Sequence, residues 1–193
     1  MNFIFASSSP RRKALMSNFD ISMEFVTHLF DEQSIDKNIS PDSYCQLMAR
    51  GKATSLIDDY PNSPILSADT IVVSPENKIF EKPRNKEEAL YMLSSLSGNT
   101  HRVLTGVNMQ YAKKRLKFDF VETTLVEFND LAQEDIEYYV ENYSPYDKSG
   151  SYGIQGFSSI FVKSISGCYF NVVGLPLSTL FFHLKKYKLV QFA

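Results

Sequence analysis

The run Ile65–Val73 leaves this chain little freedom of architecture. It is apolar and rich in β-branched residues, interrupted by the polar pair Asp69-Thr70, and such a run reads as a strand in the middle of a sheet. A carboxylate there is costly unless it is paired, holds a metal or opens on a cleft. A structural aspartate bonded to backbone amides at a strand end is the other reading.

The neighbouring segments supply strands and helices in turn. Residues 2–6 read as a buried first strand. Ser9-Pro10 opens a helix through Ala14, Leu15 and Phe19, with serine as cap and proline at the first helical position. Residues 23–27 read as a second strand, and Ser40-Pro41 repeats the cap signature before a longer helix through Tyr44, Leu47, Met48 and Leu56. Residues 85–96 form a helix with Glu87 and Glu88 where its dipole favours acids, and Gly98-Asn99 ends it. Residues 100–112 and Leu116–Phe128 flank the charged turn Lys113-Lys114-Arg115 as a long hairpin. Gln133–Tyr143 is a helix, 144–156 a Gly- and Ser-rich loop, and 157–165 and Tyr169–Val173 are expected as strands. Pro176 starts a last helix closing on Lys185, Lys186 and Lys188. This is a mixed α/β pattern, not a doubly wound one. No Pro/Gly linker divides it, so residues 1–193 are expected as a single domain of two lobes sharing one sheet system, with a groove between them.

Composition narrows the function. A chain of 193 residues buries about 70% of its unfolded surface without a disulfide or metal. Apolar residues make up 44% and charged residues 22%, which excludes disorder. Twenty Lys and Arg against 22 Asp and Glu give a net charge of −2, so no basic field awaits a nucleic-acid backbone and no nucleic-acid partner is expected. Cys45 and Cys168 match no CxxC or zinc spacing, and His28, His101 and His183 are isolated. A reducing, cytoplasmic setting without a histidine-based metal site is the simplest reading. No stretch approaches the roughly 18 apolar residues of a membrane helix. The short apolar start is followed, not preceded, by Arg11, Arg12 and Lys13, the reverse of a signal peptide.

Three stretches carry chemistry-bearing side chains. In Ala6-Ser7-Ser8-Ser9-Pro10-Arg11-Arg12 a strand ends and a helix begins. Hydroxyls and unpaired amides there suit an anion, and two guanidinium groups add multidentate donors for phosphate oxygens. Arginine at a helix start opposes the dipole unless an anion is near; a Ser-capped surface helix with solvated arginines is the alternative. No GxxxxGK[ST] occurs, so this is not a P-loop. The second stretch is Asp69-Thr70 itself. Glu32, Lys52 and Lys82 each pass alone for surface charges, yet Glu32 with Asp69 would offer the oxygen ligands Mg²⁺ prefers, and the lysines would neutralise phosphate. The third is Asp147-Lys148-Ser149-Gly150-Ser151-Tyr152-Gly153-Ile154-Gln155-Gly156. Its glycines permit close approach to a ligand, and the Gln155 amide could read a nucleobase edge. Alone it is an ordinary loop.

In order and spacing, these stretches together resemble the Maf family of nucleoside triphosphate pyrophosphatases. The likeness also takes in Asp31-Glu32, residues 49–53, Glu81-Lys82-Pro83, Leu96-Ser97-Gly98-Asn99-Thr100-His101 and Val172-Val173-Gly174-Leu175-Pro176-Leu177. The resemblance implies a fold like that of inosine triphosphate pyrophosphatases: an elongated, twisted mixed sheet flanked by helices, with a cleft between two lobes. It implies hydrolysis of a nucleoside triphosphate to the monophosphate and pyrophosphate. Asp69 would be the proton acceptor, a divalent metal cation (Mg²⁺ or Mn²⁺) would be held by Glu32, Asp69 or both, and the polar active-site set would be Ser7, Arg11, Arg12, Glu32, Lys52, Lys82 and Gln155. Ser-Pro-Arg-Arg, Ala-Asp-Thr and Ile-Gln-Gly resemble the branch hydrolysing dTTP and UTP, which places Arg11, Thr70 and Gln155 at specificity positions. A homodimer is implied as well. Ser149 and Ser151 stand where many members carry alanine, and Gly51 lies inside the Lys52 helix, where glycine costs about 1 kcal/mol against alanine. Two rival functions use the same arginines: a regulator of cell division that binds nucleotide without cleaving it, and a nucleic-acid-binding module, against which the net charge argues.

Overall fold

The computed structural model describes residues 1–191. The chain opens with β1 (Phe3–Ala6), buried throughout. Ser9 caps α1 (Pro10–Met16), its hydroxyl accepting from the Arg12 amide at 3.5 Å, with Pro10 where a missing N–H costs nothing. β2 (Met23–Val26) lies parallel to β1, Phe3 opposite Met23. α2 (Pro41–Thr54) starts at Ser40, whose hydroxyl accepts from the Ser43 amide at 3.2 Å. There follow β3 (Ile65–Val73), the two-residue β4 (Ile79–Phe80), α3 (Lys86–Leu96), β5 (Thr100–Tyr111), β6 (Leu116–Phe128), α4 (Gln133–Tyr143), β7 (Val162–Ser166), α5 (Tyr169–Val173) and α6 (Leu177–Lys186).

The strands form one sheet in the order β2-β1-β3-β5-β6-β7, with β4 paired to β3. β1 is parallel to β2 and β3; β4 is antiparallel to the end of β3, and β7 to β6. The mixed α/β class expected from the sequence is the one observed, and β3 is buried along its length except for half-buried Thr70. Among the described residues no helix is long and apolar enough to cross a membrane.

The chain divides into two compact units. The first comprises Met1–Asp69, Thr105–Glu122 and Gly174–Ala193; β1, α2 and the start of β3 close one core there through Ile4, Ala6, Ala53, Leu56 and Ile65. The second comprises Thr70–Leu104 and Thr123–Val173. Its core sets Leu93 and Leu96 of α3 and Tyr139 and Val140 of α4 with Val103, Phe128, Tyr152 and Phe161.

Two expected strands take other forms. Phe157–Phe161 is a 3₁₀ turn and only Val162–Ser166 is extended. Gly156 adopts φ 87°, and the Ser158 hydroxyl donates to the Gly153 carbonyl (2.8 Å) while accepting from the Gly153 amide (3.1 Å), closing a turn that a strand could not make. Tyr169–Val173 is a helical turn. Buried Asn171 donates to the Val103 carbonyl (2.9 Å) and to Thr124 Oγ1 (3.0 Å), and this anchoring overrides the strand preference of Tyr, Phe and Val.

Candidate active site

The buried face of α2 carries Tyr44, Cys45, Met48, Ala49, Lys52 and Ala53, the three-and-four spacing of a core stripe. Lys52 therefore occupies a core position and is 7% exposed; it is not the surface charge it resembles in isolation. Two bonds fasten this face to β3. Ser67 Oγ donates to the Ala49 carbonyl at 2.6 Å, and the Cys45 thiol donates to the Asp69 carbonyl at 3.2 Å. Burial pushes the Cys45 thiol pKa up, which keeps its donor proton in place. On β5 the Gly106 amide donates to Cys45 Sγ at 2.9 Å, and a Cβ at position 106 would stand 2.5 Å from the Cys45 carbonyl oxygen. So fixed, Lys52 Nζ lies 2.5 Å from Asp69 Oδ1.

Lys52 Nζ is also 3.2 Å from Glu32 Oε1, and His28 Nε2 meets that same oxygen at 3.2 Å. The His28 hydrogen bond, with Lys52 adding to it against the opposing effect of burial, holds the Glu32 carboxyl well below the usual range, at about 2. Among the described residues no donor is bonded to Glu32 Oε2 or Asp69 Oδ2. Gly51 is what lets this stretch approach α2: a Cβ there would lie 2.5 Å from the Phe30 ring. The helix-weakening glycine is a seat for Phe30.

Ser7 and Arg12 form a second group in the same unit. Arg12 is buried, its Nε donating to the Gly174 carbonyl at 2.8 Å and its Nη1 to Ser7 Oγ at 3.3 Å. The Ser7 hydroxyl also accepts from the Ser9 amide at 3.2 Å. Burial lowers the Arg12 pKa, and the charge of Asp69 is the largest influence opposing it, with Glu32 acting in the same sense. Arg12, Asp69 and Glu32 thus lie within electrostatic reach of one another, and Arg12 additionally ties the β1–α1 turn to Gly174. Arg11 is half-buried on the first turn of α1.

Thr70, Lys82 and Gln155 belong to the second unit. The Thr70 carbonyl accepts from Ser149 Oγ at 2.8 Å, and the Gly150 amide donates to the Glu81 carbonyl at 3.1 Å. Gly150 has φ 70° and packs where a Cβ would strike Val72. The 147–156 loop is therefore fastened beside Thr70 and beside the neighbour of Lys82, while Lys82 and Gln155 themselves are exposed. From the loop, Tyr152 turns into the core and is buried, with its hydroxyl 2.7 Å from His101 Nε2.

Sequence reading passed over His28, Cys45 and the Phe30 seat. Cys45 was findable, because it shares the stripe of Lys52. His28 was not: the stretch before Glu32 has no periodicity, and nothing local marks which side chain reaches the carboxylate.

Known proteins bear on this arrangement. The family model described as "Maf-like protein" matches residues 2–187. A protein of Geobacillus sp. (strain WCH70) named dTTP/UTP pyrophosphatase is 48% identical over 175 residues, covering 91% of this chain and 92% of its own. One of the same name from Carboxydothermus hydrogenoformans is 39% identical over 187 residues, covering 97% and 99%. Among solved structures, the Staphylococcus aureus Ham1 protein matches with a TM-score of 0.51 at 14% identity, over 84% of this chain and 80% of that one, a likeness of fold.

Proposed function

The chain belongs to the Maf family, and on that footing we propose that it hydrolyses dTTP and UTP between the α- and β-phosphates, releasing the nucleoside monophosphate and pyrophosphate. One observation carries the chemical part of the reading: a buried ammonium, Lys52, shared by Asp69 at 2.5 Å and Glu32 at 3.2 Å, with the Arg12 charge within reach.

In this reading Asp69 takes the proton of the attacking water on Oδ2, to which none of the described residues donates, while Lys52 on Oδ1 fixes the carboxylate's orientation. Arg11 and Lys82 meet the negative charge that grows on the departing pyrophosphate. Arg12 adds its charge and holds the turn that presents Ser7. Gln155 offers a donor and an acceptor to the N3–H and O4 edge of thymine or uracil, and Thr70 stands beside the catalytic aspartate.

The donor set also fits a divalent cation. Glu32 spends Oε1 on Lys52 and keeps Oε2, and a carboxylate oxygen completed by substrate phosphates and water is what Mg²⁺ takes at nucleotide sites. When bound, Mg²⁺ or Mn²⁺ would neutralise phosphate charge and polarise the phosphoryl group under attack.

A pyrophosphate-release assay over the common nucleoside triphosphates tests the reading. Turnover is expected on dTTP and UTP, excess EDTA is expected to stop it, and Asp69→Asn is expected to lower kcat by about 10²-fold or more with the fold retained. Recovery of dTTP intact from the wild-type chain overturns the hydrolase and favours a nucleotide sensor. We also read residues 1–193 as one functional domain, because the family match runs through both compact units. A cytoplasmic setting remains the reading that suits two cysteines whose spacing matches no disulfide or zinc pattern. A homodimer rests on the family resemblance, and light scattering tests it.

A further inference from the structure

The stretch that delivers Glu32 is held to α2 and its C-cap at two points, and a third contact closes within the stretch itself. The Leu29 amide donates to Ser55 Oγ at 3.1 Å, and that hydroxyl in turn donates to the Lys52 carbonyl at 2.9 Å. The Phe30 ring rests on Gly51, at the distance where any Cβ would collide with it. His28 Nε2 reaches Glu32 Oε1 at 3.2 Å, on the oxygen Lys52 already shares. The His28 side chain is 17% exposed, and its buried Nδ1 has no partner. The tautomer with hydrogen on Nε2 leaves no buried donor unsatisfied and points that hydrogen at the carboxylate.

We infer that His28 is a positioning residue: with Phe30 seated on Gly51, it fixes the Glu32 carboxylate so that Oε1 is spent on protein donors and Oε2 is left for the divalent cation. This rests on the cation-assisted reading above. A side chain that orients a metal-binding carboxylate is worth about 10- to 100-fold in metal affinity. The role differs from that of Glu32 itself, since His28 acts through the Glu32 carboxylate.

Free Mn²⁺, followed by its electron paramagnetic resonance signal, is titrated with the full chain in the presence of α,β-imido-dTTP, which cannot be cleaved. His28→Asn, too short to reach Oε1, is expected to weaken Mn²⁺ binding by about 10-fold. His28→Gln, whose amide N–H extends to the Nε2 position, is expected to restore most of it. The KM for dTTP at saturating Mn²⁺ should stay unchanged in both. Gly51→Ala displaces Phe30 and should weaken Mn²⁺ binding from the other anchor; it serves alone if His28→Asn does not fold. The inference is overturned if folded His28→Asn or Gly51→Ala binds Mn²⁺ as tightly as wild type, or if His28→Gln binds no better than His28→Asn. It is overturned too if wild type binds no more Mn²⁺ than Glu32→Gln. Failure of the hydrolase reading looks different: wild type would bind Mn²⁺ and the analogue and still leave dTTP intact.

Discussion

His101 is 1% exposed, with Nε2 on the Tyr152 hydroxyl and the ring edge-on to Phe128 at 4.9 Å. Burial lowers its pKa from the ordinary 6.5 to about 4. The folded value lies below the unfolded one, so the stability this neutral ring contributes is complete above pH 6.5. It is lost as pH falls towards 4, because the unfolded chain binds a proton that the folded one refuses. A gap of that size is worth about 3 kcal/mol. The thermal midpoint should therefore drop between pH 7 and pH 4. His101→Gln, which keeps a hydrogen-bonding group and removes the titration, should flatten that slope; parallel slopes would exonerate His101. Glu32 acts in the same direction at lower pH, where its contribution fades as pH falls through about 2. The motif around His101 was visible in the sequence, but its partner Tyr152 lies 51 positions away, and only the fold joins them.

At the scale of elements, two glycines, Gly51 within α2 and Gly106 on β5 against it, stand under different constraints. A Cβ at Gly106 would meet backbone, the Cys45 carbonyl oxygen at 2.5 Å, whereas one at Gly51 would meet a ring that can swing aside. Gly106→Ala is therefore expected to cost about 1–3 kcal/mol, read as a lower denaturation midpoint, and to reduce turnover by prising Lys52 from Asp69. Gly51→Ala should leave stability nearly unchanged, since the helix gains about 1 kcal/mol in propensity while Phe30 loses its seat. Chemical denaturation of the two variants side by side checks the contrast; equal losses would contradict it. α2 itself was legible, because cap, proline and apolar spacing all agree over its 14 residues. α5 was not, because five residues are too few for periodicity to decide, and Asn171 answers to Val103 and Thr124, far off in sequence.

Over the whole molecule, the mixed sheet and its helices followed from patterning, since long strands such as β5 and β6 and capped helices carry consistent local signals. In the first unit Lys52 stands between Glu32 and Asp69. What patterning could not supply was the division of labour within that group: which oxygen each carboxylate surrenders, and that Arg12 spends two donors on Gly174 and Ser7. The thiol of Cys45, wedged between the Gly106 amide and the Asp69 carbonyl, gives the protein a stopwatch of its own. A sulfhydryl dye should tag half-buried Cys168 promptly and reach Cys45 only when α2 lifts from the sheet. The lag between the two labels would then time how often α2 parts from β3 and β5.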